Sequence, residues 1–107
     1  MRTHVIPTNH NNKLDCKAFM VIDEAPAKSV SGCQLNAECL VHTKDNSHLP
    51  VKARLRCLYR LKLGEMVDCF SIPSHGMDAF DFIEWYKKNN PDSSHGHPLA
   101  VYMYVKE

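Results

Sequence analysis

Five cations that alternate with apolar residues are the side chains of this sequence best suited to bind a ligand. They lie between Val51 and Leu63, in a stretch without an acidic residue, and are Lys52, Arg54, Arg56, Arg60 and Lys62. Apolar residues at every odd position predict an antiparallel strand with one face in the core. Because same-face neighbours on a strand lie about 6.6 Å apart, we expect one straight cationic row of more than about 20 Å on the solvent side.

Like charges in one row repel each other, so the row predicts either a bound anion or carboxylates of the protein itself against it. A phosphate backbone carries regularly spaced negative charge that arginine binds through its planar fork, and we therefore expect RNA or a nucleotide as the partner. Tyr102 and Tyr104 share one face of the last predicted strand and are the aromatic pair expected to stack on bases. The alternative is a solvated face that only discourages pairing with another sheet.

An acidic block follows the cationic one. Between Gly64 and Tyr86 there are five Asp and Glu residues and no Lys or Arg. Three of the acids, Asp78, Asp81 and Glu84, fall on a predicted helix and form a candidate surface for a basic protein partner. The net charge is only +1, which excludes a general, histone-like attraction to polyanions.

The spacing of apolar residues predicts which elements carry these side chains. Strands are predicted over residues 3–7, 17–23, 35–41, 51–63 and 99–105, and helices over 63–70 and 77–90, the second with Ser74 as its N-cap. This order is that of an α+β protein. We expect a small mixed β-barrel of about five strands with two helices inserted before the last strand, because closure removes the exposed edges of a sheet. With 107 residues, the chain 1–107 is expected to form a single domain around one core.

Composition narrows the class of protein. Hydrophobic residues make up 44% of the sequence and charged residues 23%, as in globular proteins. No apolar run approaches the roughly 20 residues that cross a bilayer. No signal peptide follows Met1, so we expect a cytoplasmic protein with no membrane partner.

Cysteine and histidine spacing argues against disulfides and metals. The five cysteines are scattered and include no CxxC pair, so we expect reduced thiols. Cys39 and Cys57 fall on apolar faces of predicted strands, where a thiol packs as a small hydrophobic group. Only His95 and His97 are closely spaced among the seven histidines, and they lie in a predicted loop. We therefore expect no metal site and no cofactor.

Several segments, in this order along the chain, resemble an ASCH domain of the PUA-like superfamily. They are Gly32-Cys33-Gln34-Leu35 before a strand, Ala53-Arg54-Leu55 to Leu61-Lys62-Leu63 with a helix beginning near Glu65, a helix ending in Trp85-Tyr86, and the strand Leu99-Ala100-Val101-Tyr102. The resemblance spans about residues 17–106. It implies a PUA-like barrel with helices beside a cleft that binds RNA or a modified nucleoside.

The resemblance also implies a candidate reaction, since a few ASCH proteins are amidohydrolases that deacetylate acetylcytidine with a lysine, a threonine and a glutamate. The corresponding stretch, residues 13–23, contains lysines but no threonine, and Asp23 stands where the family usually has arginine. Lys17 as base and Glu65 as acid are then the candidate catalytic residues. A lysine must be buried to act as a base. A further alternative is Cys16 as a nucleophile beside Lys17.

Overall fold

Five strands form one mixed sheet, and the computed structural model describes residues 2–25 and 35–107. The strands are β1 (Arg2–Ile6), β2 (Ala18–Glu24), β3 (Glu38–Thr43), β4 (Val51–Lys62) and β5 (Pro98–Lys106). Their order in the sheet is β1-β3-β4-β5-β2, with β1 parallel to β3 and the other neighbours antiparallel. The predicted α+β class and the five mixed strands are confirmed. The sheet is not closed, because its edge strands β1 and β2 do not pair with each other.

Two α-helices, α1 (Asp68–His75) and α2 (Ala79–Asn89), lie between β4 and β5. Their number and place are as predicted, but α1 begins and ends five residues later than the helix predicted over 63–70. Asp78, and not the predicted Ser74, is the N-cap of α2, since its Oδ1 accepts a hydrogen bond from the backbone N–H of Asp81 at 2.8 Å. Ser74 belongs to the last turn of α1. Two 3-10 segments, His10–Asp15 and Leu63–Glu65, precede β2 and α1. Among the residues described, no helix is long and apolar enough to cross a membrane.

The sheet carries a separate hydrophobic core on each of its faces. The first core contains Ile6, Leu14, Phe19, Val21, Cys39, Val41, Val51, Ala53, Leu55 and Tyr104. The second core lies against α2 and contains Leu61, Leu63, Met66, Phe82, Tyr86, Leu99 and Val101. Consecutive residues of β2 contribute to both: Phe19 and Val21 belong to the first core, while Met20 and Ile22 pack against the second.

The apolar residues of β4 change face in the middle of the strand. The pairing register with β5 shifts between Leu55 and Cys57, so Arg56 is the extra residue of a β-bulge. Leu55 therefore lies in the first core and Leu61 in the second, although both occupy odd positions. Cys57, predicted to be buried, is exposed because it follows the bulge, whereas Cys39 is buried as predicted.

The same bulge breaks the predicted cationic row. Arg54 pairs with Val105 and Arg60 with Ala100, and residues 105 and 100 point to opposite faces of β5. Side chains of paired residues share a face, so Arg54 and Arg60 project from opposite faces of the sheet. The prediction of one straight row of five cations is therefore wrong. The segment Gly32-Cys33-Gln34, which carried part of the family resemblance, lies outside the described residues.

Candidate functional site

A cavity of about 310 Å³ lies where the edges of β1 and β2 approach α2. The 3-10 segment His10–Asp15 and the last residue of α1 complete its walls. Its lining includes His10, Lys13, Asp23, Glu24, His75, Phe82, Trp85 and Tyr86. Ligand pockets in proteins occupy roughly 300–1,000 Å³, so this cavity has the size of a site for a small molecule.

An asparagine-rich turn brings Lys13 to the cavity. Asn11 and Asn12 have left-handed backbone angles, with φ of 59° and 52°, which asparagine tolerates better than most residues. Oδ1 of Asn9 accepts a hydrogen bond from the backbone N–H of Leu14 at 2.9 Å and fixes the end of the turn. The turn directs Lys13 inward, so that only 3% of this residue is exposed.

The amine of Lys13 has hydrogen-bond acceptors but no counter-ion. Nζ donates to the carbonyl oxygen of Ser74 at 2.8 Å and to its Oγ at 3.3 Å. No carboxylate of residues 2–25 or 35–107 forms an ion pair with it. Burial, partly offset by the charge of Asp23, lowers the pKa of Lys13 to about 8. An ammonium has three donors and Ser74 takes two, so one N–H remains for a group in the cavity.

Three rings form one wall of the cavity. The ring centroid of His75 lies 4.3 Å from that of His10 and 5.2 Å from that of Trp85, and the His10 and Trp85 centroids are 5.7 Å apart. Burial, and then the charge of Lys13, lowers the pKa of both histidines, that of His75 to about 3. Both imidazoles are therefore neutral at pH 7. A wall of uncharged rings is a surface on which another planar ring can stack.

Ser74 connects Lys13 to His75. Its Oγ accepts hydrogen bonds from Lys13 and from the backbone N–H of Ile22, the latter at 3.2 Å. The hydroxyl proton is then free to be donated to Nδ1 of His75, which lies 2.8 Å away. Since Nδ1 accepts, the proton of the neutral His75 ring belongs on Nε2.

Asp23 and Glu24 make the β2 side of the cavity acidic. Oδ2 of Asp23 accepts a hydrogen bond from Nε2 of His4 at 2.8 Å, and Oε2 of Glu24 accepts one from Nε2 of His97 at 2.6 Å. The hydroxyl of Tyr86 donates to Oε1 of Glu24. Burial, together with this carboxylate, raises the pKa of Tyr86. These contacts hold both carboxylates in fixed positions.

The cations predicted to bind nucleic acid all remain exposed. Arg54 is neutralised from within the chain, since its Nη2 lies 3.4 Å from Oε1 of Glu38 and 3.1 Å from Oε1 of Glu107. In the described part of the chain, no ion pair involves Lys52, Arg56 or Lys62. None of the five cations of β4 lines the cavity.

Tyr102 and Tyr104 share a face, as predicted, but that face is covered. Tyr104 is 2% exposed, and its hydroxyl lies 2.5 Å from Nδ1 of His4 and 3.8 Å from Sγ of Cys39. Tyr102 is half-buried against the first core, with its ring 6.3 Å from that of Tyr104. The prediction that this pair forms an exposed platform for bases is wrong, because Phe19 and its neighbours in the first core occupy the space.

The candidate catalytic residues implied by the resemblance lie outside the cavity lining. Lys17 is exposed, and its carbonyl oxygen accepts a hydrogen bond from the backbone N–H of Lys106 at 2.7 Å. Glu65 is also exposed, and its Oε1 accepts a hydrogen bond from the backbone N–H of Lys62 at 2.8 Å. Neither residue lines the cavity, so the lysine available for chemistry there is Lys13.

The acidic residues predicted to attract a basic protein are exposed on and beside α2. Asp78 caps this helix, while Asp81 and Glu84 lie in its first two turns. This acidic surface remains a candidate for contact with a protein partner. No group of residues suited to hold a metal ion occurs in the described ranges.

Sequence reasoning did not find Lys13, His10 or His75. Lys13 lies in a stretch of asparagines without apolar periodicity, which is typical of an exposed turn. The only available signal was the succession of asparagines, since this residue tolerates left-handed angles that reverse a chain sharply. No family model matches the chain, and comparisons with curated proteins and with solved structures find no match.

Proposed function

We propose that this protein binds a nucleobase or nucleoside in the cavity between β2 and α2. The observation that carries the proposal is the arrangement of the His10, His75 and Trp85 rings beside the unused donor of Lys13. Aromatic walls with a few polar groups are typical of sites for planar heterocycles. The resemblance to ASCH domains supports the same ligand class.

Trp85 provides a direct measurement, because it is the single tryptophan of the chain and lines the cavity. We expect at least one of the four common nucleosides, or a base-modified form, to change its fluorescence in a saturable way. Lys13→Met should weaken that binding at least tenfold. Lys17→Met is the matched control, because Lys17 is exposed and lies outside the cavity, and should leave the affinity unchanged. The absence of a saturable change with every nucleoside contradicts the proposal.

RNA is a second candidate ligand, favoured by the exposed cations Lys52 and Arg56, which form no ion pair with any residue that the structure describes. The bulge limits how many cations one strand of RNA can contact on a single face, so we expect a shallow salt dependence of binding. Lys52→Glu with Arg56→Glu should reduce retention of RNA. Lys44→Glu with Lys88→Glu, at two exposed sites outside β4, makes the same change in net charge and is the control. Equal retention by both variants removes this candidate.

Amide hydrolysis of an acylated nucleoside is the corresponding enzymatic candidate. It is favoured by Lys13, because a buried amine with a pKa of about 8 is partly neutral near pH 7.5 and can accept a proton. Incubation with an N-acylated cytidine, followed by chromatography of the products, tests it. Release of cytidine by the wild-type protein and not by Lys13→Met supports hydrolysis, whereas unchanged substrate in both samples rejects it.

We propose in addition that the sheet is an open form of a PUA-like barrel. Support comes from the order of the elements and from His4, whose Nε2 reaches from β1 across to Asp23 on β2.

A cytoplasmic location is proposed because the thiols of Cys16, Cys57 and Cys69 are free and exposed, and such thiols are stable in a reducing compartment. Mixed-disulfide formation with glutathione at these sites would test their redox state.

A further inference from the structure

The charged residues that line the cavity limit which planar ligands it can bind. Asp23 and Glu24 contribute two carboxylates, and Lys13 contributes at most one positive charge. His10 and His75 are neutral at pH 7, because burial lowers the pKa of both. His4 and His97 hydrogen-bond to the two carboxylates from outside the lining. The cavity is then negative overall.

The donor at Lys13 restricts the ligand in a second way. The side chain is almost fully buried, and Ser74 satisfies only two of the three N–H groups of an ammonium. A buried charged donor left without an acceptor is costly, so a bound ligand gains most by presenting an acceptor to Nζ. A carboxylate or phosphate would supply one, but the carboxylates of Asp23 and Glu24, which line the same cavity, would repel it.

From this juxtaposition we infer that the cavity selects an uncharged planar ligand with a carbonyl oxygen or ring nitrogen directed at Lys13, and rejects anionic forms of the same ring. The inference rests on the proposed binding of nucleobases and adds a charge rule to it. Asp23 and Glu24 act as the selectivity residues, and Lys13 acts as the hydrogen-bond donor.

Uracil and orotate test the charge rule, because orotate is uracil with one carboxylate on the ring. At pH 7, where Lys13 is mostly an ammonium, and with Trp85 fluorescence as the readout, we expect uracil to bind at least tenfold more tightly than orotate. Asp23→Asn should reduce that ratio at least threefold, since it removes one repelling charge while keeping a side chain of the same shape. Lys13→Met should weaken uracil binding at least tenfold, with circular dichroism showing that the variant is folded.

Indole is the control for the acceptor, since it is planar but presents no carbonyl oxygen or ring-nitrogen acceptor. Its binding is measured by calorimetry, because indole emits at the same wavelengths as Trp85, and it should be at least tenfold weaker than that of uracil. Orotate binding as tightly as uracil would overturn the charge rule while leaving nucleobase binding intact. Indole binding as tightly as uracil would overturn the role of the Lys13 donor. If neither uracil nor any nucleoside binds, both the inference and the proposed function fail.

Discussion

Lys13 and Ser74 join the asparagine-rich turn to the last turn of α1 through two hydrogen bonds from one amine, at 2.8 and 3.3 Å. The same Oγ of Ser74 accepts from the backbone of β2, so three elements meet at one hydroxyl. This contact places a buried cation at the cavity, and no carboxylate of the described residues forms an ion pair with it. The stability of the fold and the protonation of the cavity are consequently coupled.

We expect Lys13→Met to change how stability depends on pH. The folded pKa of about 8 lies below the unfolded value of 10.5, so the unfolded chain binds more protons between these values. The wild-type fold should therefore gain stability, by at most about 3 kcal/mol, as the pH rises from 8 to 10.5. The Met variant lacks this gain. Urea unfolding of both proteins at pH 7.5 and 10.5 measures it, and parallel pH profiles would show that Lys13 titrates normally.

His75 should give a dependence of the same sign at low pH, with stability rising as the pH rises. Its folded pKa of about 3 lies below the ordinary 6.5, so the unfolded chain takes up the proton first as the pH falls. Stability contributed by neutral His75 is then lost between pH 6.5 and 3, a loss that His75→Gln should remove. Nitrogen NMR at pH 5 should show a neutral ring with the proton on Nε2. An imidazolium signal at pH 5 would refute this assignment.

The pKa of His75 should also depend on the charge of Lys13. Its positive charge is the second cause, after burial, that lowers the pKa of His75. Lys13→Met should therefore raise the pKa of His75, as followed by NMR titration, while Lys17→Met should not. An unchanged titration in the Met variant would mean that the Lys13 amine is already neutral or distant.

Local patterns predicted the elements, but not the contacts that build the cavity. Alternation in residues 51–63 identified β4, and the helical spacing around Phe82 identified α2. The bulge at Arg56 could not be inferred, because a one-residue register shift leaves the alternation of the single strand unbroken. Lys13 was equally hidden, since its burial results from contacts with α1, which is distant in sequence. Only the three-dimensional arrangement shows both.

Removing the N-cap of α2 should lower the free energy of unfolding by a modest amount. Asp78→Ala removes the carboxylate that accepts the backbone N–H of Asp81, and we expect a loss of about 1 kcal/mol in the free energy of unfolding. Asp92→Ala removes a carboxylate from an exposed turn and should change stability by less than about 0.5 kcal/mol. Thermal and urea unfolding measure both. Equal effects would mean that net charge, and not the cap, is responsible.

Reactivity of two cysteines tests the change of face in β4. Cys39 and Cys57 both lie on strands at positions where the sequence pattern predicts burial, yet only Cys39 is buried. In the native protein, iodoacetamide should modify Cys57 as fast as the exposed Cys16 and Cys69, and Cys39 only in denaturant. Deletion of Arg56 removes only the extra residue and leaves the pairs from Cys57–Met103 to Leu61–Leu99 as they are, so this variant should still fold with Leu61 in the second core. Protection of Cys57 in the native protein, or unfolding of the deletion variant, would show that β4 runs without a bulge and would restore the single cationic face.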